Sequence, residues 1–223
     1  MMPLRKGRYF SFYLFILVSL TTFSNQNLNT NFFNLNRIEI LGLENQDLLN
    51  FEKEIININL RNLLTINKNY IKDTIDSNNS IETYEIFKNY PASLIIKLNK
   101  TNYIARIKIN NFFFLIGTNG KFIKDDLSNK DLPFIFGSPS IREILNFISF
   151  INEANFNYNN IKYLYYFRSG RWDIETKDGK IFKLPKENLF KRLKEIINIS
   201  SNENFQNKMI IDVRIKNHIV AND

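Results

Sequence analysis

Few residues in this chain can make or break bonds, and their types decide which reactions are open. There is no cysteine, so thiolate catalysis, disulfides and Cys-based zinc sites are excluded together. The single histidine, His218, follows Arg214 by four positions near the end of the sequence. A base for an activated nucleophile therefore has one place to be, and a histidine on a terminal strand is a surface residue first. The 22 Asp and Glu residues include no H-E-x-x-H and no D-x-D-x-D-G loop. Nothing selects two of them as the facing carboxylates that glycoside cleavage needs, and Asp125-Asp126 reads as a turn after a strand. Glycine patterns that cradle phosphate are absent. Catalytic, cofactor-binding and metal-ligating residues are all read as none, and no cofactor is expected.

Binding chemistry is better represented. "YLYYFRSGRW" interleaves aromatic and basic side chains, which can stack bases, but strands with alternating core aromatics are the favoured account. The net charge is +8, and Arg5, Lys6 and Arg8 carry three of those charges. No block of five or six basic residues occurs, and Lys, Asn and Ile are enriched together as in a biased genome. No nucleic-acid partner and no small-molecule substrate is expected.

The elements that hold these residues begin with "MMPLRKGRYFSFYLFILVSLTTFSNQ". No charge falls between Arg8 and Arg37. A helix over 9–26 would measure about 27 Å, near the ~30 Å hydrocarbon core of a bilayer. Residues 1–8 would be a short cytoplasmic tail held inside by Arg5, Lys6 and Arg8. A cleaved signal peptide is the rival reading, although "SLTTFSNQ" offers no A-x-A-like site. In both cases the rest of the chain is exported. The uncharged, Asn-rich stretch 27–36 reads as a linker.

Residues 37–100 then pattern as β-α-α-β-β, a compact α+β unit. "RIEIL" alternates as a strand. Leu48, Leu49, Phe51, Ile55 and Ile56 have helical spacing, and a second helix from Asn67 places Tyr70, Ile71 and Ile75 on one side. A strand pair follows, with Ile81, Tyr84 and Ile86 on one member and Leu94, Ile96 and Leu98 on the other. Asn89-Tyr90-Pro91 turns between them.

From 101 to 223 the pattern is mostly strands with two helices. One helix is capped by Ser138 or Ser140 and lined by Ile141, Ile144, Leu145, Ile148 and Ile151. In "RWDIETKDGKIFKLP" a two-residue Asp178-Gly179 loop would put carboxylates beside apolar residues. A three-residue loop, 177–179, instead pairs Ile174 with Phe182 and Trp172 with Leu184 and makes one face apolar. We expect the longer loop, with Gly179 left-handed. The other face, with Asp173, Glu175 and Lys183, is left for solvent or a partner. "KMIIDVRIKNHIV" reads as the last strand or strand pair; in it Met209, Ile211, Val213 and Ile215 are expected to face the core, turning Asp212, Arg214 and Lys216 outward.

Several of these marks, taken in order, resemble one family. They are Arg37 through Gly42, Ile81 through Tyr90-Pro91 to Leu98, and Ile104-Ala105-Arg106. Asn119-Gly120, Leu132-Pro133 with Gly137, Arg171-Trp172-Asp173 leading to Gly179 and Leu184-Pro185, and Asp212-Val213-Arg214 continue the series. With an amino-terminal span, the chain resembles the FtsQ (DivIB) family of bacterial cell division proteins. It departs at Lys100 and Tyr103, where the family often has Glu and Pro, and at Gly117, where it has Asp.

The resemblance implies a POTRA domain at 37–100 and a β domain at 101–223. It implies a non-enzymatic divisome scaffold in the cell inner membrane at the division septum, linking early and late division proteins. Partners would be FtsB and FtsL, with a partner strand added to the carboxyl-terminal sheet edge, whose free N–H and C=O groups invite pairing. By position, the contact residues would be Arg171, Lys191, Lys194, Asp212, Arg214, Ile215, Lys216, His218, Ile219 and Val220. An exported cell-wall-binding or peptidoglycan-modifying protein is the alternative.

Overall fold

The structure, a computed structural model, describes all residues except 1–5, 23–29, 59, 126–130, 201–207, 217 and 223. It is an α+β protein of two sheets.

Helix α1, Lys6–Thr22, is apolar on every side, and its large side chains from Tyr9 to Leu20 are exposed. Its 17 residues make a rod of about 26 Å. Residues 23–26 of the expected span lie outside the described residues. Among the described residues no helix is long and apolar enough to cross a membrane.

Residues 30–36, read from the sequence as linker, fold onto the first sheet. A 3-10 turn spans Thr30–Phe33, and Asn34 bridges to Asn62. The N–H of Leu63 donates to the Phe33 carbonyl at 2.8 Å, and Leu35 N–H to Arg61 at 2.9 Å. An uncharged stretch still carries one donor and one acceptor per residue, and here they find partners.

The first sheet contains β1 (Arg37–Leu41), β2 (Ile81–Asn89) and β3 (Ser93–Lys100) in the order β1-β3-β2. β1 is parallel to β3 and β2 antiparallel to it. Helices α2 (Asn45–Asn57) and α3 (Lys68–Ser77) cover one face. Asn67 caps α3 by accepting from Asn69 N–H. Phe51, Ile55, Ile71, Ile75, Leu94, Ile96 and Leu98 form the core. Three expected core residues point elsewhere: Leu49, Ile56 and Tyr70 are exposed. Each lies about 100° of helical rotation from the buried stripe, since neighbouring positions diverge by that angle.

The second sheet has nine strands in the order β12-β11-β10-β9-β8-β7-β4-β5-β6. β4 (Tyr103–Ile109), β5 (Phe112–Gly117) and β6 (Phe122–Lys124) form a meander. β7 (Phe134–Phe136), unread in the sequence, sits between β4 and β8 (Ile161–Tyr166) and is parallel to both. β9 (Trp172–Thr176) and β10 (Ile181–Lys183) form the hairpin. β10 is parallel to β11 (Ile210–Asp212), and β12 (Val220–Asn222) returns antiparallel.

Helices α4 (Ile141–Glu153) and α5 (Leu189–Ser200) pack on one face over a core shared with Ile174, Phe182, Leu184, Ile211 and Val213. Ser140 and Glu143 cap α4 reciprocally. Phe147, absent from the expected stripe, stacks on Trp172 at 4.5 Å between centroids and 5° between planes.

The two sheets are joined through a polar knot. The Asn119 amide donates to the carbonyls of Asn79 and Ile81, both at 3.0 Å. The hydroxyls of Thr101 and Thr118 both donate to Glu82, at 2.5 and 2.9 Å. Asn79 donates to the Phe122 carbonyl at 2.9 Å, and Lys121 Nζ to the backbone carbonyl of Asp76 near the end of α3 at 2.8 Å. Gly117 stands where a Cβ would lie 2.6 Å from Asn119 Oδ1 and 2.7 Å from Thr101 Oγ1.

Candidate functional site

The hairpin sets the geometry of the carboxyl-terminal half of the sheet. Ile174 is opposite Phe182, Leu184 N–H donates to Trp172 at 3.2 Å, and Thr176 N–H donates to Lys180 at 2.9 Å. Residues 177–179 thus form the loop, with Gly179 at φ 87°. This is the register expected from burying one apolar face.

The opposite face is less open than the pattern implied. Asp173 is only 5 % exposed. It accepts from Arg171 Nε at 3.3 Å, and the Arg171 guanidinium lies over the Phe167 ring at 4.2 Å. Burial pushes the Asp173 carboxyl above the usual carboxylate range, opposed by Arg171, the Leu184 N–H and Arg214. Across the sheet Asp173 faces Lys183, and Lys183 faces Asp212, so acid, base and acid alternate over three strands.

Asp212 and Arg214, expected as separate outward charges, form one closed unit. Arg214 donates to Asp212 from its backbone N at 3.0 Å, from Nε at 2.8 Å and from Nη2 at 2.5 Å. Burial works against the Asp212 charge, but the Arg214 bonds win and hold its carboxyl below the usual range.

β11 is shorter than the sequence suggested, and this overturns two expected core positions. Ile211 and Val213 are fully buried, whereas Met209 and Ile215 are 42 % and 60 % exposed. The chain leaves the strand after Asp212, so alternation cannot be carried on to Ile215. Lys216, His218, Ile219 and Val220 are exposed on the turn back to β12. Lys191 and Lys194 are exposed on α5, with Lys194 Nζ over the Phe190 ring at 4.5 Å. Asp212 through Val220 thus gather at one sheet end, Arg171 joins them through Asp173, and the two lysines stand apart on the helix.

β12 itself corrects a central expectation: the outer side of β11 is covered by the chain's own return strand. The free border is β12, three residues long. Its Asn222 carbonyl accepts from Met209 N–H at 3.0 Å, so strand alternation turns the N–H and C=O of Ala221 away from the sheet.

One residue here escaped the sequence reading. Arg192 on α5 is buried, pairs with Glu195, and donates from Nη2 to the Ile215 carbonyl at 3.0 Å. With Lys186, Arg214 and Lys216 it lines a cleft of about 340 Å³ in which Glu187 is the one acidic side chain. A basic residue on an amphipathic helix reads as solvated, so only its position one turn from buried Ile196 could have signalled it. The arrangement offers ion pairs, a cationic cleft and main-chain groups on an edge, which is equipment for holding another chain.

Comparison with known proteins matches residues 105–214 to the family described as "Cell division protein FtsQ/DivIB, C-terminal". A protein named "Cell division protein FtsQ" from Rickettsia bellii (strain RML369-C) is 27 % identical over 201 residues, covering 83 % of this chain and 70 % of the relative. Its namesake in Rickettsia typhi (strain ATCC VR-144 / Wilmington) is 26 % identical over 202 residues, covering 83 % and 71 %. The solved major extracytoplasmic domain of the division protein DivIB from Geobacillus stearothermophilus covers 49 % of this chain and 98 % of its own, at 16 % identity and a TM-score of 0.35.

Proposed function

From the premise that this chain belongs to the FtsQ/DivIB family of cell division proteins, a family of non-enzymatic scaffolds, we propose that it is a single-pass inner-membrane scaffold of the divisome. In this reading α1 anchors the chain with its amino terminus in the cytoplasm, and both sheets face the periplasm at the septum. The unit at 37–100 acts as a POTRA domain, and the sheet of 101–223 binds FtsB and FtsL, connecting early and late division proteins.

The observation that carries the reading is the end of the nine-stranded sheet. A short edge strand presents Ala221 outward beside the Asp212–Arg214 pair and the cationic cleft. A partner strand laid against β12 gains main-chain hydrogen bonds, and acidic side chains on it meet Arg214, Lys216 and Lys186.

The test is capture of the FtsB and FtsL ectodomains by the full chain in detergent. Binding that disappears when 209–223 is deleted, and weakens in Arg214→Glu, supports the scaffold. Absence of binding, with hydrolysis of peptidoglycan instead, would support an envelope enzyme and end this reading.

A further inference from the structure

The end of the first sheet opposite the junction is built by three connections. They are residues 30–36, the α2–α3 loop around 61–66, and the β2–β3 turn at 89–92. Hydrogen bonds fasten them together: Leu63 N–H to Phe33, Leu35 N–H to Arg61, and the N–H of Asn36 to Ala92 at 2.8 Å. Each nevertheless turns an apolar side chain to solvent. Phe32 is 68 % exposed, Leu64 49 % and Tyr90 57 %. Phe33 links two of them, with its ring 5.4 Å from Phe32 and 6.4 Å from Tyr90. A well-ordered end that exposes an aromatic from two loops and a leucine from a third is shaped for an apolar surface.

Charge narrows the occupant. Residues 30–38, 58–72 and 86–93 contain no Asp or Glu, while Arg37, Arg61, Lys68, Lys72 and Lys88 fall within them; Glu39, just beyond the first stretch, pairs with Arg37 at 3.4 Å. Lys68 and Lys88 spend hydrogen bonds on the carbonyls of Ile86 and Ile66 but keep their charge at this end. Aromatic side chains ringed by cations suit the headgroup level of an anionic bilayer, where aromatic rings concentrate and basic side chains are drawn to the negative surface.

Chain length agrees. Thr22 ends α1 and Thr30 begins this end of the sheet, and the steps between them span at most about 28 Å when fully extended. The geometry points to a second membrane contact: Phe32, Leu64 and Tyr90, with Arg37 and Arg61, form a foot that rests on the lipid surface. The inference rests on the anchor reading of α1, and the experiment separates the two.

Trp172 is the only native tryptophan and lies in the core of the second sheet, so it serves as the internal baseline. Full-length chain carrying Phe32→Trp, Leu64→Trp or Phe15→Trp is reconstituted into phosphatidylcholine vesicles with or without phosphatidylglycerol. The acyl chains are brominated near the headgroup for the probes at 32 and 64, and near the chain ends for the probe at 15, which the anchor would place at mid-span. The foot predicts that the tryptophans at 32 and 64 are quenched several-fold more than Trp172, more strongly with phosphatidylglycerol, and less after Arg61→Glu. Quenching at 15 with none beyond baseline at 32 and 64 overturns the foot and leaves the anchor standing. No quenching at any of the three overturns both. Quenching at 32 and 64 without quenching at 15 supports the foot and removes the anchor.

Discussion

Arg192 on α5 reaches the Ile215 carbonyl, so the helix that covers the core also holds the turn leading into the edge strand. Its other arm is engaged by Glu195. Arg192→Met should cost about 1–3 kcal/mol, because a partly buried acceptor and a partly buried carboxylate each lose a charged donor. The cost is read by urea denaturation. Amide exchange at 220–222 should accelerate more than exchange in β4 or β5, and uniform acceleration would contradict the role given to Arg192.

The outward N–H of Ala221 gives the docking reading a single-atom test. Ala221→Pro removes that donor on an edge strand, where proline is tolerated. Thermal stability should change little while affinity for the FtsB ectodomain falls about tenfold, the equivalent of one or two lost main-chain bonds. Unchanged affinity would place the partner elsewhere.

Glu143 supplies an acid-sensitive element. The Tyr166 hydroxyl, then Ser140 through its N–H and Oγ, hold the carboxyl below the usual range. A depressed folded-state value makes its stabilisation complete above the unfolded value of about 4.3 and lost as pH falls below it. Denaturation midpoints should therefore drop more steeply in the parent than in Glu143→Gln as pH passes below that value. Parallel profiles would show that Glu143 contributes no pH dependence.

Trp172 and Phe147 stack face to face beneath α4. Trp172→Ala should cost about 3–5 kcal/mol, measured by denaturant titration followed by circular dichroism. A loss below about 1 kcal/mol would mean that α4 closes over the gap.

The junction is testable at Gly117, where a side chain has no room. Gly117→Val should displace Asn119 and Thr101 and break bonds on which the two sheets depend. Protease should cut near 101–102 much faster than in the parent, while the near-ultraviolet signal of the Trp172 region persists. Equal cutting rates would show that the knot is not what fixes the joint.

How legible this was in the sequence varied with the range of the forces involved. The hairpin register could be read because one alternative buried carboxylates, an energetic difference visible in fifteen residues. The start of a helix at Asn67 and a serine cap at 138 or 140 were readable for the same local reason. β7 was not, since Phe134–Phe136 become a strand only by lying between β4 and β8, both distant in sequence. Met209 and Ile215 were misplaced because alternation says nothing about where a strand stops. The cover that β12 provides for β11 was left open, as one strand or a strand pair, for a related reason: a three-residue strand has no pattern of its own. Arg171, Asp212 and Arg214 were named as separate contact residues; that Arg171 closes on Asp173 and Arg214 on Asp212 was not read, and the burial of Asp173 depends on neighbours across the sheet.

The knot at Glu82, Thr101, Thr118 and Asn119 has a consequence for leverage. Those bonds tie the two sheets together, so a pull on the edge strand is passed through them toward the loops at 30–36, 61–66 and 89–92. If those loops rest on lipid as proposed, their height above it fixes how far out a docked chain is held, as a bracket fixes a shelf.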